Sequence, residues 1–375
     1  MEITITGIGL QTALGDRDTT WQRLLNGESG LAHRQPFAEL PPYPLGYLAS
    51  QPTALAAVTE ATVMAALADA QLTPPLPDCG VVIGSSRGCQ SEWERQCRQG
   101  AWQGGNFAAL LPQQAAVRAA QILGTTAPVL APMAACATGL WCLARALELL
   151  RTGRCQQVLA GAVEAPITPL TLAGFAKMGA LAREGCYPFD RDRHGFALAE
   201  AGAVFVLETV VSAQQRQARS YGQLLGFGLT ADGYHVSAPV IGGRSGLLAV
   251  EQCLDRSALV PTDIDYIHAH GTGTRLNDHN EAELIRHLFP AGVAVSSTKG
   301  ATGHTLGASG ALGLAFCLLA LRDRQLPPNV GLREPDYPDL NLVTTARSHP
   351  LCHALCFSFG FGGQNAVLAC RAEPN

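Results

Sequence analysis

MAACATGLW, residues 133–141, holds a single cysteine, Cys136, among alanines, a threonine and a glycine. Ahead of it, APVLAPMAA (127–135) is short, apolar and turn-bounded, which predicts a buried strand. Behind it, LWCLARALELLRTG sets Leu140, Leu143, Ala144 and Leu147 at helical spacing, with Gly153 as a stop. Cys136 therefore falls in a tight strand-to-helix connection whose small neighbours let other backbone come close. A helix N-terminus beside it would favour the thiolate, the reactive form of the side chain. The competing reading is a small buried hydrophobe, the expected state of most of the 12 scattered cysteines, which include no CxxC pair.

The second half of the chain supplies a parallel. AVSSTKGATGHTLGASGALGLAFCLLAL again reads strand, glycine-rich turn, helix, and its helix is apolar nearly all round, hence buried. The turn carries Lys299 and His304. Likewise CGVVIGSSRG (79–88) is echoed by IDYIHAHGTGT (264–274), an apolar strand running into a glycine loop. The repeated order of elements predicts a duplicated α/β fold whose halves send loops to a shared site. His268 and His270 share a strand face by the period of two. They admit three readings: a metal set with His279 or Glu281, for which no known ligand spacing is completed; structural imidazoles; or His270 working with His304 opposite Cys136.

Bulk properties narrow the class. Hydrophobic residues make up 47% and charged residues 15% of 375, with 40 glycines, a compact enzyme-like composition. A net charge of −4 gives no electrostatic footprint for nucleic acid. MEITITGIGLQTALG lacks the pattern of a secretory signal, and ALGLAFCLLAL (311–321) reads as too short to span a bilayer. The expectation is a cytoplasmic protein without a membrane span. QPFAELPPYPLGYL (35–48) reads as an irregular surface excursion.

AACATGL, HAHGTGTRLND, KGATGHTLGASGAL and FSFGFGGQNA, in that order, resemble the elongating β-ketoacyl-acyl-carrier-protein synthases of the thiolase superfamily, Cys-His-His type. ITPLTLAGFAKMGAL, PFDRDRHGFALAEAGAVFVLE and GFGLTADGYHVSAP fit the same family, and the likeness runs from ITGIGL to the final strand. The resemblance implies a thiolase-like duplicated fold, layered α-β-α-β-α, with halves at 1–210 and 211–375. It implies Cys136 as the acyl-accepting nucleophile, His270 and His304 as the two histidines, and Lys299 as support for the second of them. Thr272 and Thr274 would hold the pantetheine arm. Phe361 would gate the acyl site with Phe359 nearby, and the backbone N–H groups of Cys136 and Phe361 would form an oxyanion hole. The implied reaction is decarboxylative condensation of an acyl thioester with malonyl-acyl-carrier protein, needing no metal or other cofactor. The implied partners are acyl-carrier protein and a second subunit, in a homodimer or in a heterodimer with a related chain. Arg183, Arg191 and Arg193 are candidates for carrier docking.

Two departures stand out. The family commonly has an acidic residue where this chain has Gly313, so Lys299 needs another partner, for which Asp278 or Glu281 is expected. Ala199 replaces a glycine of the family's GEGAG. The rival readings are a non-catalytic chain-length-factor-like subunit and, from another class, a serine hydrolase using Ser86 of GSSRG (84–88), which fits G-x-S-x-G.

Overall fold

The computed structural model describes residues 1–100, 107–240 and 242–373. Its frame is a mixed sheet in which Ile3–Thr12 and Gly222–Ala231 lie side by side at the centre, antiparallel, with Ile3 opposite Leu224. Outward from Ile3–Thr12 come Ala201–Thr209, Gln157–Glu164, Gly80–Gly84 and Val129–Leu130. Outward from Gly222–Ala231 come Gln364–Arg371, His353–Gly360, Tyr266–His268, Ala294–Ser296 and Asn341–Leu342. With the short edge strand Asn341–Leu342 set aside, both series use their strands in the chain order first, last, fourth, second, third. Both switch from antiparallel pairing near the centre to parallel pairing outside. This is the expected duplication, and it is the thiolase-like architecture.

Two helices related by the duplication pack against each other in the middle, Thr138–Arg151 and Ser309–Asp323. Leu140, Leu143, Ala144 and Leu147 are buried as their spacing predicts, and every residue from Ser309 to Leu321 is buried. The approach is close enough to require glycine. A Cβ on Gly139 would come within 2.6 Å of the Ala311 nitrogen, and one on Gly310 within 2.8 Å of Leu140 Cγ. The apolar stretch Leu306–Asp323 is long and apolar enough to cross a membrane, contrary to the expectation from 311–321. Its surface is spent inside the protein, where 89% of it is buried.

Two expectations need correction. Of 127–135 only Val129–Leu130 pairs as a strand, and both residues are exposed at the sheet edge. Pro128 and Pro132 supply no N–H for a longer ladder. The proline-rich stretch 35–48 is not all surface. Its Tyr43–Gly46 forms a strand between Leu31–Arg34 and Leu198–Ala199, with Leu45 fully buried.

Candidate active site

Cys136 sits two residues before the helix Thr138–Arg151, and Ala135 before it adopts φ +46°. That left-handed turn presents the sulfur to a cavity. The turn is closed by Thr138, whose hydroxyl donates to the Ala135 carbonyl at 2.7 Å and accepts from Ala134 N–H at 3.0 Å. Ser358 donates to the Cys136 carbonyl at 2.9 Å. The final hairpin lies against the turn so closely that a Cβ on Gly360 would come within 3.0 Å of the Cys136 nitrogen. Phe361 directs its N–H at the Cys136 side chain.

The second half contributes two imidazoles. His270 follows the strand Tyr266–His268, and its loop is fastened by a buried carboxylate: Glu281 accepts from His270 N–H at 2.5 Å and from Gly271 N–H at 2.7 Å. Asp278 holds the next stretch through the N–H groups of Thr272 and Gly273. His304 is held by the strand Leu198–Ala199, donating its N–H to the Ala197 carbonyl at 2.6 Å while its own carbonyl accepts from Ala199 N–H. The Ala199 side chain packs against Gly303 and Gly46, so the extra methyl group is met by glycine on both sides.

Cys136, His270 and His304 converge. All three are buried, and the sulfur and one nitrogen of each ring lie within 4.8 Å of one another. The imidazoles meet edge to face with centroids 5.4 Å apart. Thr272, Thr274, Phe359 and Phe361 line the same cavity, together with Phe175, Phe196 and Leu306. Among the described residues these three side chains are the one set spaced for a metal ion; His268, His279 and Glu281 form no such set with His270.

Lys299 is buried beside the first histidine, not the second. Its ammonium donates to the His270 carbonyl and lies 3.5 Å from His270 Nδ1. The expectation that it supports His304 is therefore wrong. The lysine precedes His304 by five residues in the chain, but its own helical turn, Lys299–Thr302, points the side chain across to the neighbouring strand-loop. The side chain within hydrogen-bond reach of the second ring is Ser309, whose hydroxyl lies 2.9 Å from His304 Nδ1. Sequence reasoning missed it, although its place at the first turn of the buried helix was a usable signal.

Electrostatics follow from burial. Burial pushes the Cys136 thiol up to about 11, opposed by the Phe361 N–H and by the positive charges of Lys299 and Arg87. Burial, then the Lys299 charge, holds both His270 and His304 well below the usual histidine range, so both are neutral at pH 7. Burial also lowers Lys299, and Glu281 is the first charge that opposes it. Of the two carboxylates expected to replace an acid at position 313, Glu281 is the one that acts on the lysine. Position 313 itself is occupied by a neighbour: a Cβ there would come within 2.7 Å of both His268 Nδ1 and Cys356 Sγ. His268 thus points into the helix packing, away from the cavity. Its Nε2 lies 3.1 Å from Thr298 Oγ1, and its Nδ1 is buried without a partner.

The remaining candidates separate clearly. Ser86 directs its hydroxyl at Glu164, 2.6 Å away, and shares that carboxylate with Ser85, so it is part of a structural cradle and not a hydrolase nucleophile. Arg193 is buried and paired with Asp336 and Tyr337, which removes it from any docking surface. Arg191 forms an exposed pair with Glu334, and Arg183 is exposed.

A two-fold repeated α/β sheet that brings a cysteine from one half against two histidines from the other defines a condensing enzyme of the thiolase-like class. Residues 47–213 match the description "Beta-ketoacyl synthase, N-terminal domain", and residues 221–333 match "Beta-ketoacyl synthase, C-terminal domain". The chain is 32% identical over 403 residues to a 3-oxoacyl-[acyl-carrier-protein] synthase 2 of Staphylococcus aureus, covering 98% of this chain and 97% of that one. Among solved structures it resembles a chain of a complex of a type II polyketide synthase acyl-carrier protein with its ketosynthase bound to a hexaketide. There the TM-score is 0.92 at 27% identity, over 100% of this chain and 99% of that one. It also resembles a chain of a ketosynthase–chain length factor complex from Xenorhabdus doucetiae, with TM-score 0.86 at 25% identity over 99% and 98%. The protein belongs to the β-ketoacyl synthase family.

Proposed function

We propose that the protein catalyses decarboxylative condensation of an acyl group carried on Cys136 with malonyl-acyl-carrier protein, giving a 3-oxoacyl thioester. The observation that carries this reading is the convergence of Cys136, His270 and His304 on one cavity. In the first half-reaction the Cys136 sulfur attacks the acyl thioester, and its proton leaves with the carrier thiol. The N–H groups of Phe361 and Cys136 stabilise the tetrahedral oxyanion. In the second, malonyl thioester loses carbon dioxide. The enolate oxygen receives hydrogen bonds from two neutral imidazoles, and the carbanion attacks the acyl carbonyl, releasing the Cys136 thiolate, which is then reprotonated.

The tautomers suit this task. An ammonium is donor only, so His270 Nδ1 facing Lys299 accepts, and Nε2 carries the proton. Ser309 accepts from Thr305 N–H at 3.2 Å; we assign its hydroxyl proton to His304 Nδ1 at 2.9 Å, so that His304 Nε2 also donates. Thr272 and Thr274, whose hydroxyls lie 2.8 Å apart at the cavity wall, would receive the pantetheine arm.

The same reading makes acyl-carrier protein the partner, divides the chain near residue 210 into a cysteine half and a histidine half, and places the enzyme in the cytoplasm. A second subunit of this fold is supported by the exposed sheet edge, where Val129 and Leu130 lie uncovered beside Met133. Two arrangements fit that edge, a homodimer or a pairing with a related chain. Retention of Cys136, His270 and His304 favours an active subunit over a chain-length factor. The test is intact-protein mass spectrometry with acyl-carrier thioesters, followed by addition of malonyl-carrier. An adduct on Cys136 that is discharged to a 3-oxoacyl product is expected, and no adduct with any donor would overturn the reading.

A further inference from the structure

The turn Gly84–Gly88 brings a second charge to the active site that the reaction above does not use. Glu164, fully buried at the end of its strand, takes hydrogen bonds from the Ser85 hydroxyl, the Ser86 N–H and hydroxyl, the Arg87 N–H and the Gly307 N–H, all between 2.6 and 3.0 Å. The carboxylate is thereby consumed by the turn and by the loop after His304. The Arg87 guanidinium, on that same turn, is left without it. Among the described residues no carboxylate lies within ion-pair distance of Arg87, and no hydrogen bond from its side chain is made.

Its guanidinium carbon lies 5.1 Å from the ring centroid of Phe175. Phe175 is a wall of the Cys136 cavity, and its ring meets Phe361 at 6.2 Å and Phe196 at 5.1 Å. A cation over a ring leaves the guanidinium N–H groups unused, since they lie in its plane. Arg34 likewise has a ring beside it, Tyr47, and among the described residues no ion pair, but that ring is not a wall of the Cys136 cavity. Two other enclosed arginines are paired. Arg193 has Asp336 and Tyr337, and Arg216 has Glu208. Arg87 is half-buried, has a carboxylate bonded to its own N–H, and among the described residues still has no acceptor for its side chain.

We propose that Arg87 is a specificity residue for the acyl group, its guanidinium donating hydrogen bonds to a distal oxygen of the chain carried by Cys136, so that keto- or carboxylate-bearing acyl groups are taken over plain alkyl ones. The inference rests on the condensing-enzyme reading and adds the substrate class to it. On this proposal an acyl chain that leaves Cys136 along Phe175 would reach the charge seated over that ring. A hydrocarbon terminus would desolvate that charge without replacing its hydrogen bonds, whereas an oxygen acceptor would replace them. The Arg87 charge also acts on the Cys136 thiolate, which places both in one electrostatic environment.

The experiment compares pantetheine thioesters of equal length, hexanoyl, 5-oxohexanoyl and adipoyl, as acyl donors to the whole protein, reading the rate of adduct formation on Cys136 by mass spectrometry. The wild type should prefer at least one oxygen-bearing donor over hexanoyl by tenfold or more. The two oxygenated arms distinguish a keto from a carboxylate ligand. Arg87→Leu should bring the ratio close to one, and Arg87→Lys should keep part of it. Because a ratio is read, any general change in Cys136 reactivity cancels. A wild-type ratio at or below one overturns the proposal without recourse to any variant, as does a ratio unchanged in Arg87→Leu. No adduct from any donor would instead overturn the condensing-enzyme reading, and this proposal with it.

Discussion

Two helix starts at the centre of the molecule are built on one plan and put to different use. The helix Thr138–Arg151 begins with a hydroxyl residue followed by a glycine, Thr138 and Gly139, and so does Ser309–Asp323, with Ser309 and Gly310. Each is preceded by a non-glycine residue in the left-handed region, Ala135 at φ +46° and Leu306 at φ +43°. Each glycine seats against the other helix. The difference is where the hydroxyl goes. Thr138 spends its hydroxyl on backbone, fixing the turn that carries Cys136. Ser309 spends its hydroxyl on a side chain, the His304 ring, and on the Thr305 N–H. The nucleophile needs only to be held in place, because attack depends on where the sulfur is. The imidazole must also hold its proton on the correct nitrogen, so its support has to reach the ring.

The comparison fails most completely at the nucleophile. Cys136→Ala keeps the Thr138 turn and should fold, but acyl transfer should fall by roughly 10³-fold or more. Undiminished adduct in the intact mass spectrum would show that another side chain accepts the acyl group. The imidazoles test the other side of the comparison. Replacing His270 or His304 with Ala should reduce malonyl decarboxylation by about 10²–10⁴-fold while acylation of Cys136 continues. Equal loss of both half-reactions would show that the histidines serve the thiol directly.

The pH dependence separates the two regions further. The Cys136 thiol lies up at about 11, so at lower pH only a small fraction is thiolate. Alkylation of Cys136 by iodoacetamide should rise about tenfold per pH unit from 7 to 9, about a hundredfold in all. The histidines, held below their usual range, contribute no inflection in that window. A plateau already present at pH 7 would mean that the thiolate is formed by an imidazole partner in the resting enzyme.

How much of this is legible in the chain follows from how local each feature is. Cys136 between an apolar stretch and a helical run, and His304 in its glycine-rich turn, are marked by neighbours within a few residues, and the duplication shows in the repeated order of strand, loop and helix. What could not be read is set across the fold. Lys299 serves His270 because its short helical turn faces that loop, a direction the spacing to His304 does not encode. Gly313 looks like a lost acid when read along the helix. In three dimensions its missing side chain is the room taken by His268. The apolarity of 127–135 fits a buried strand and an exposed sheet edge equally well, and Val129 and Leu130 stand at the edge.

That exchange of volume gives the next smaller effect. Gly313→Glu, which would restore the family's acid, should destabilise the fold by about 1–3 kcal/mol from overpacking alone, since Cys356 and His268 already stand where its Cβ would go. The double variant Gly313→Glu with His268→Ala should recover part of that loss. Thermal unfolding measures both. A single variant as stable as the wild type would mean that His268 moves freely and that its present place is incidental.

The finest test is of the hydroxyl itself. Ser309→Ala removes one oxygen from a buried helix start and leaves Thr138 untouched. Thr305 N–H and His304 Nδ1 then lose a common partner, and a hydrogen bond of this kind contributes about 0.5–1.5 kcal/mol. If its role is only to close the turn, the cost should appear in unfolding, with both half-reactions lowered little and alike. If it also sets the tautomer, decarboxylation should fall further than acylation, by about tenfold for 1.4 kcal/mol, and nitrogen-15 shifts of the His304 ring should show a proton gained on Nδ1. Ser309→Thr, which keeps the hydroxyl, should restore the rate if the added methyl group is accommodated. An alanine variant with an unchanged His304 tautomer and an unchanged ratio of the half-reactions would reduce Ser309 to a copy of Thr138, and the two helix starts would then differ in sequence alone.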